Sequence, residues 1–258
     1  MNISYIEYDP VWGDPAANLR NVASLAVSVP DDVDLLVLPE MFTTGFVATS
    51  RQEALNVAEL PDGPTLKTLG KIARKKHMAI AGSIAVNNSG CLFNQAFFIL
   101  PSGEIAATYN KRHLFRMGGE SSSFNAGSNP APVVNFNGWR IKLIICYDLR
   151  FPVFCRNSEP MYDLLIVVAN WPKARQTAWQ TLLTARAIEN LCYVCGVNRR
   201  GSDPEGIDYG ANSSFVIDFK GKIISEPSAM SAQLSLDRLN AFRIKFPAHL
   251  DADNFTLL

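Results

Sequence analysis

The chain has 258 residues, 48% of them hydrophobic and 19% charged, a balance that suits a globular enzyme rather than a disordered or fibrous protein. Lysine plus arginine and aspartate plus glutamate both number 24, so no net field draws in nucleic acid or an anionic membrane. Residues 1–7 carry neither a basic nor an apolar signal region. The longest apolar run, 164–169, is far short of the roughly 20 residues that span a bilayer. A soluble, cytoplasmic protein is expected.

No repeat, low-complexity stretch or linker divides the chain, so residues 1–258 read as one domain. In chain order, the continuous apolar run 34–38, stopped by Pro39, reads as a buried strand. Asp62-Gly63-Pro64 opens a helix to about Lys76, with Leu66, Leu69, Ile72 and Ala73 on one face. Strands over 78–86 and 92–100 flank the turn Asn87-Asn88-Ser89-Gly90, a hairpin signal. Pro101-Ser102-Gly103 turns the chain into a further strand at 104–109. The runs 141–145 and 164–169 are again buried strands, and 177–190 reads as a helix. Strands at 191–197, 214–219, 222–226 and 233–236 follow, then a final helix at 236–245. Strands alternating with helices, plus hairpins, predict a mixed sheet in an α/β architecture. Such sheets place their chemistry at the carboxyl ends of strands.

Five cysteines in a chain of this kind read as free thiols in a reducing compartment. Cys192-Tyr193-Val194-Cys195 matches a C-x-x-C spacing, but on a strand residues three apart face opposite ways. With no second such motif and only three histidines, two structural thiols are expected and no metal or other cofactor.

Cys146 stands where the run 141–145 gives way to Tyr147-Asp148-Leu149-Arg150-Phe151-Pro152. That is a strand end entering a turn, the placement of a nucleophile elbow, with the Tyr147 N–H available to an oxyanion. A buried core cysteine would look the same in isolation. A cysteine nucleophile usually takes histidine as base, yet His77, His113 and His249 sit at no clear strand end with a carboxylate partner. Glu40 follows Leu35-Leu36-Val37-Leu38-Pro39; partial desolvation there would raise its pKa and fit it to exchange a proton. Lys111, in Thr108-Tyr109-Asn110-Lys111-Arg112-His113, ends another β run and could stabilise an oxyanion or thiolate. Taken singly, an exposed turn glutamate is an equally good reading of Glu40, and an exposed lysine is the better reading of Lys111.

Together the segments Leu-Pro-Glu40-Met-Phe, Tyr-Asn-Lys111-Arg-His-Leu-Phe and Ile-Cys146-Tyr-Asp-Leu-Arg-Phe-Pro resemble the nitrilase, or carbon–nitrogen hydrolase, superfamily. Ala169-Asn170-Trp171-Pro172 and Arg186-Ala187-Ile188-Glu189-Asn190 extend the likeness in chain order over nearly the whole sequence, and it is strongest to the omega-amidases. The resemblance implies a four-layer α-β-β-α sandwich, a Glu–Lys–Cys triad, a homodimer and a second glutamate that helps to position substrate. Glu120, in Gly118-Gly119-Glu120-Ser121-Ser122, falls in the matching loop. Asp208-Tyr209-Gly210-Ala211-Asn212-Ser213-Ser214 departs from the related Tyr-x-Gly-Asp-Ser segment, and Asn212 is a candidate for a left-handed turn. Arg186 and Glu189, at i and i+3, read as a structural ion pair.

The expected reaction is hydrolysis of the terminal amide of small dicarboxylic monoamides of the 2-oxoglutaramate and succinamate type, through a thioester. Catalysis would fall to Glu40, Lys111, Cys146 and Glu120, with Tyr147, Asn170 and Trp171 lining the pocket. A distal carboxylate needs a cation, and Arg116, Arg150, Lys173 and Arg175 are all open candidates. The rival readings are an N-carbamoyl amide hydrolase, a nitrilase, or a catalytically silent binding protein on the same fold.

Overall fold

The computed structural model describes residues 1–157, 161–226 and 228–253. Its strands are β1 (Asn2–Tyr5), β2 (Leu35–Val37), β3 (Ala79–Asn88), β4 (Cys91–Ile99), β5 (Ile105–Asn110), β6 (Val133–Phe136), β7 (Trp139–Ile145), β8 (Leu164–Ala169), β9 (Tyr193–Asn198), β10 (Gly201–Ser202), β11 (Asp208–Gly210), β12 (Phe215–Ile217) and β13 (Ser231–Gln233). The helices are α1 (Pro15–Ser28), α2 (Arg51–Val57), α3 (Pro64–Lys76), α4 (Glu120–Ser123), α5 (Pro152–Cys155), α6 (Gln176–Glu189) and α7 (Leu236–Lys245). One sheet runs β13-β1-β2-β3-β4-β5 and a second β12-β9-β8-β7-β6, with a small β10-β11 ribbon beside them. Each large sheet has a parallel centre, β1-β2-β3 in the first and β7-β8-β9 in the second, flanked by antiparallel strands.

The period-2 alternation of strand side chains builds the layers. On β2, Leu36 faces outward with Ile80 of β3 against Val22 and Ala26 of α1 and Leu66, Leu69 and Ile72 of α3. Leu35 and Val37 face inward with Ala79, Ala81, Ala96 and Phe98 into the core shared with the second sheet. The Phe98 and Phe136 rings meet across that interface with centroids 5.9 Å apart. Beyond the second sheet, Trp179, Leu183 and Ala187 of α6 form the last layer. Gly196 makes that packing possible: a Cβ there would lie 2.4 Å from Leu183 Cδ1. The result is the expected α-β-β-α sandwich.

Local signals set most boundaries. Pro64 opens α3, and His77 closes it in the left-handed region at φ 52°. Ser50 caps α2 by accepting from the Glu53 N–H, and Ser235 caps α7 by accepting from the Arg238 N–H. The Ser235 cap also corrects the strand expected at 233–236: β13 lies earlier, at Ser231–Gln233, because the chain is already entering α7. The strand expected at 222–226 is reduced to isolated bridges, Ile223 to Ile217 and Glu226 to Ser231. β9 begins at Tyr193, so Cys192 precedes the strand; both it and Cys195 are buried. β1, α1, α2 and β6 were not foreseen; β1 and β6 have four residues each and α1 buries only Asn18, Val22 and Ala26, which leaves little periodicity to detect. Among the described residues no helix is long and apolar enough to cross a membrane.

Candidate active site

Glu40 leaves the carboxyl end of β2 and is only 1% exposed. Its Oε1 accepts from Asn94 Nδ2 at 2.7 Å and Lys111 Nζ at 2.9 Å. Its Oε2 accepts from the backbone N–H of Asn170 at 2.7 Å and from Asn170 Nδ2 at 3.1 Å. Since Asn170 directly follows β8, this contact joins the strand ends of the two sheets. Lys111 follows β5, and its Nζ lies 2.9 Å from both carboxylate oxygens of Glu120, the first residue of α4. Glu120 Oε2 also accepts from the Phe115 N–H at 2.6 Å. Glu40, Lys111 and Glu120, expected together from the resemblance, form one buried hydrogen-bonded cluster.

Cys146 directly follows β7 and begins a 3₁₀ turn, Cys146–Arg150, with its own φ at +46°. Non-glycine residues enter that region at an energetic cost and hold it only when their surroundings fix them. Burial raises the Cys146 thiol well above its ordinary value; the Glu40 charge adds to the rise and Lys111 opposes it. Burial alone would lower the Lys111 pKa, but the Glu120 and Glu40 carboxylates outweigh it and hold the ammonium charged. Burial likewise raises Glu120, with Lys111 pulling the other way. One ammonium already faces two carboxylates, so a standing thiolate would add negative charge to a dry site. Burial and the neighbouring acids thus favour the thiol over the thiolate, and a thiol needs a base at the moment of attack.

Cys146 opens into a cavity with two adjoining lobes of about 210 and 350 Å³. The smaller is lined by Tyr147, Asn170 and Trp171, the three expected pocket residues, together with Arg150 and Arg175. The Arg150 guanidinium lies 4.9 Å from the Trp171 ring centroid and that of Arg175 5.1 Å from Phe115. The other two candidate cations separate from these: Lys173 pairs with Asp208 at 3.3 Å, and Arg116 lines neither lobe. Asp203, Glu205 and Tyr209 border the larger lobe beside Lys111. Asn170 Oδ1 is buried with no partner among the described residues.

Asn94 is the residue that sequence reasoning missed. Its Nδ2 bridges Glu40 and Glu120, at 2.7 and 3.2 Å. The signal was present: a polar residue on the same strand face as Leu92 and Ala96, all three buried. His113 makes no pair with Cys146 and instead faces Asp148 at 2.8 Å. Arg186 bonds Glu189 at 2.8 Å as expected and also donates to the Leu149 carbonyl in the turn after Cys146. Asn212 adopts the left-handed conformation, φ 56°, and its N–H joins those of Ser213 and Ser214 on the Glu7 carboxylate.

The carbon–nitrogen hydrolase family model matches residues 2–244. The omega-amidase YafV of Yersinia enterocolitica is 44% identical, over 100% of this chain and 99% of its own. The 2-oxoglutaramate amidase of Bacillus subtilis is 33% identical over 87% and 85%. Among solved structures, XC1258 of Xanthomonas campestris, described as a CN-hydrolase superfamily protein with an arsenic adduct in its active site, superposes with a TM-score of 0.93 at 41% identity, covering 100% of this chain and 99% of that one. A buried glutamate–lysine–glutamate cluster beside a strand-end cysteine, on this sandwich and with these relatives, makes the chain a member of the carbon–nitrogen hydrolase family.

Proposed function

We propose that the protein is an omega-amidase, hydrolysing the terminal amide of small dicarboxylic monoamides to acid and ammonia. The convergence of Glu40, Lys111 and Glu120 around the charge environment of Cys146 carries the reading. Glu40 takes the thiol proton as sulfur attacks the amide carbon. The Lys111 ammonium and the Tyr147 N–H, at the start of the 3₁₀ turn where intrahelical acceptors are lacking, hold the oxyanion. The C–N bond breaks, nitrogen leaves as ammonia carrying the transferred proton, and an acyl thioester remains. Water, deprotonated by Glu40, then releases the acid and restores the thiol. Glu120 neutralises and orients Lys111 through two hydrogen bonds.

Two features support the substrate class. Arg150 and Arg175 in the Tyr147–Trp171 lobe suit a distal carboxylate. Asn170, which lines both lobes and bonds Glu40, brings a side-chain amide to the wall where the substrate amide would lie. The larger lobe is bordered by Asp203 and Glu205 as well as by Lys111 and Arg175, whereas the smaller has Arg150 and Arg175 and no acidic residue among those described, so the substrate tail points into the smaller lobe. We take the chain as one domain, acting in the cytoplasm as a homodimer. Five free thiols support a reducing compartment, and exposed Ile244, Phe246 and Leu250 near the end of α7 support a surface that a second copy covers.

Brief mixing with succinamate followed by mass spectrometry is the test. An acyl adduct on Cys146, ammonia release from succinamate above that from a nitrile or a carbamoyl acid, and loss of turnover in Cys146→Ala with unchanged melting are expected. Turnover by Cys146→Ala would refute the assignment. Preference for the nitrile or carbamoyl acid would select those rival activities, and absence of all turnover a silent binding protein.

A further inference from the structure

We infer that the pair formed by half-buried His113 and buried Asp148 is a positioning device that fixes the Cys146 thiol relative to the Lys111 ammonium. This rests on Cys146 acting as nucleophile, as proposed above. Asp148 is fully buried, and its carboxylate gathers four donors from two distant stretches of chain. Oδ2 accepts from the Ile145 N–H at 3.0 Å and the Tyr109 hydroxyl at 2.9 Å. Oδ1 accepts from the His113 N–H at 3.1 Å and faces His113 Nδ1 at 2.8 Å. A carboxylate offers only lone pairs, so Nδ1 carries the proton in this contact.

The two stretches matter. Tyr109 and His113 lie two residues on either side of Lys111, and Ile145 immediately precedes Cys146. Asp148 therefore clasps the segment that carries the ammonium to the turn that carries the sulfur. The clasp continues outward: the Tyr109 oxygen accepts from the Arg112 N–H at 2.9 Å. The His113 ring is stacked on Phe151 with centroids 3.8 Å apart and planes 13° from parallel, and it meets Phe154 edge-on at 5.0 Å. These rings fix the orientation of Nδ1. The conformation being held is the costly one, since Cys146 has φ +46° and strained backbone persists only where its surroundings over-determine it. His113 lines neither lobe of the cavity, so its influence on the reaction passes through Asp148.

The test compares His113→Leu, His113→Asn and Asp148→Asn with wild type for kcat, KM and melting temperature on succinamate, and for the rate of acyl adduct formation at Cys146. His113→Leu removes the ring donor, whereas His113→Asn restores an N–H near the position of Nδ1. The expected result is a fall in kcat of about 100-fold for His113→Leu, the scale of a misplaced reacting group, with KM nearly unchanged. His113→Asn recovers most of that loss, and Asp148→Asn, if it folds, falls with His113→Leu. Wild-type kcat and adduct rate in His113→Leu would overturn the inference, as would a lowered melting temperature with kcat per folded molecule intact, or no advantage of His113→Asn over His113→Leu. Wild-type turnover without any Cys146 adduct would overturn the nucleophile assignment and the positioning role together.

Discussion

Lys111 Nζ sits 2.9 Å from both oxygens of Glu120, with neither side chain exposed to solvent. The same nitrogen is 2.9 Å from Glu40. The ammonium is thus the single positive charge of a dry cluster holding two carboxylates, and removing it is worse than removing either acid. Lys111→Met leaves two buried carboxylates facing one another without a counter-charge and is expected to destabilise the fold by about 3–5 kcal/mol. Glu120→Gln keeps the shape and leaves Lys111 paired with Glu40, so its melting temperature stays closer to wild type. Both variants lose kcat. Thermal unfolding of the two side by side checks the order, and an equal or smaller loss in Lys111→Met would contradict it.

Arg150 and Arg175 reach the cavity without a carboxylate partner among the described residues, each resting on an aromatic ring. A hydrogen bond to a charged group contributes about 1.5–3 kcal/mol, so losing one arginine should raise KM for succinamate roughly tenfold or more. Arg150→Met and Arg175→Met are expected to show that rise, while a neutral amide of similar length is processed as by wild type. Steady-state kinetics on the charged and neutral amides decide it: a parallel loss on both would mean that the arginines shape the pocket without reading charge.

Asp163 provides a pH test far from the chemistry. Burial opposes its ionisation, but hydrogen bonds from Arg140 and Arg243 prevail and hold its carboxyl below the ordinary value of 3.8. The contacts are at 2.7 Å to Arg140 and 2.6 Å to Arg243, and they tie the start of β8 to α7. A depressed folded-state value means that the stabilisation is complete above the ordinary carboxylate range and disappears as pH falls through the depressed value. Asp163→Asn should therefore melt below wild type at pH 7, and the gap should narrow below about pH 4. A gap that stays constant down to pH 2 would show that charge contributes nothing there.

Much of this molecule is legible in a single sequence. Strand ends at Glu40, Lys111 and Cys146 follow from apolar runs halted by polar residues, and α3 from Pro64 and a 3.6-residue stripe. The residue types there, acid, ammonium and thiol, already name amide chemistry once taken with the resemblance in chain order. What stayed hidden was partnership. Asn94 lies inside the expected strand 92–100 with nothing local to mark its partners, the contact of His113 with Asp148 spans 35 residues, and Arg150 and Arg175 cannot be told in sequence from Lys173 and Arg116.

Sequence by itself determined which positions carry reactive groups, because periodicity, turn residues and chain-breaking prolines act over a few neighbours. Only the packing of two sheets face to face decided that Glu40 would meet Asn170, 130 residues away, and only the pairing of strands far apart in the chain, with α4 beside them, set Lys111 between two acids. The first contact joins strand ends of separate sheets and the second joins the ends of β2 and β5 to α4, and no local preference of any one segment encodes the others' positions.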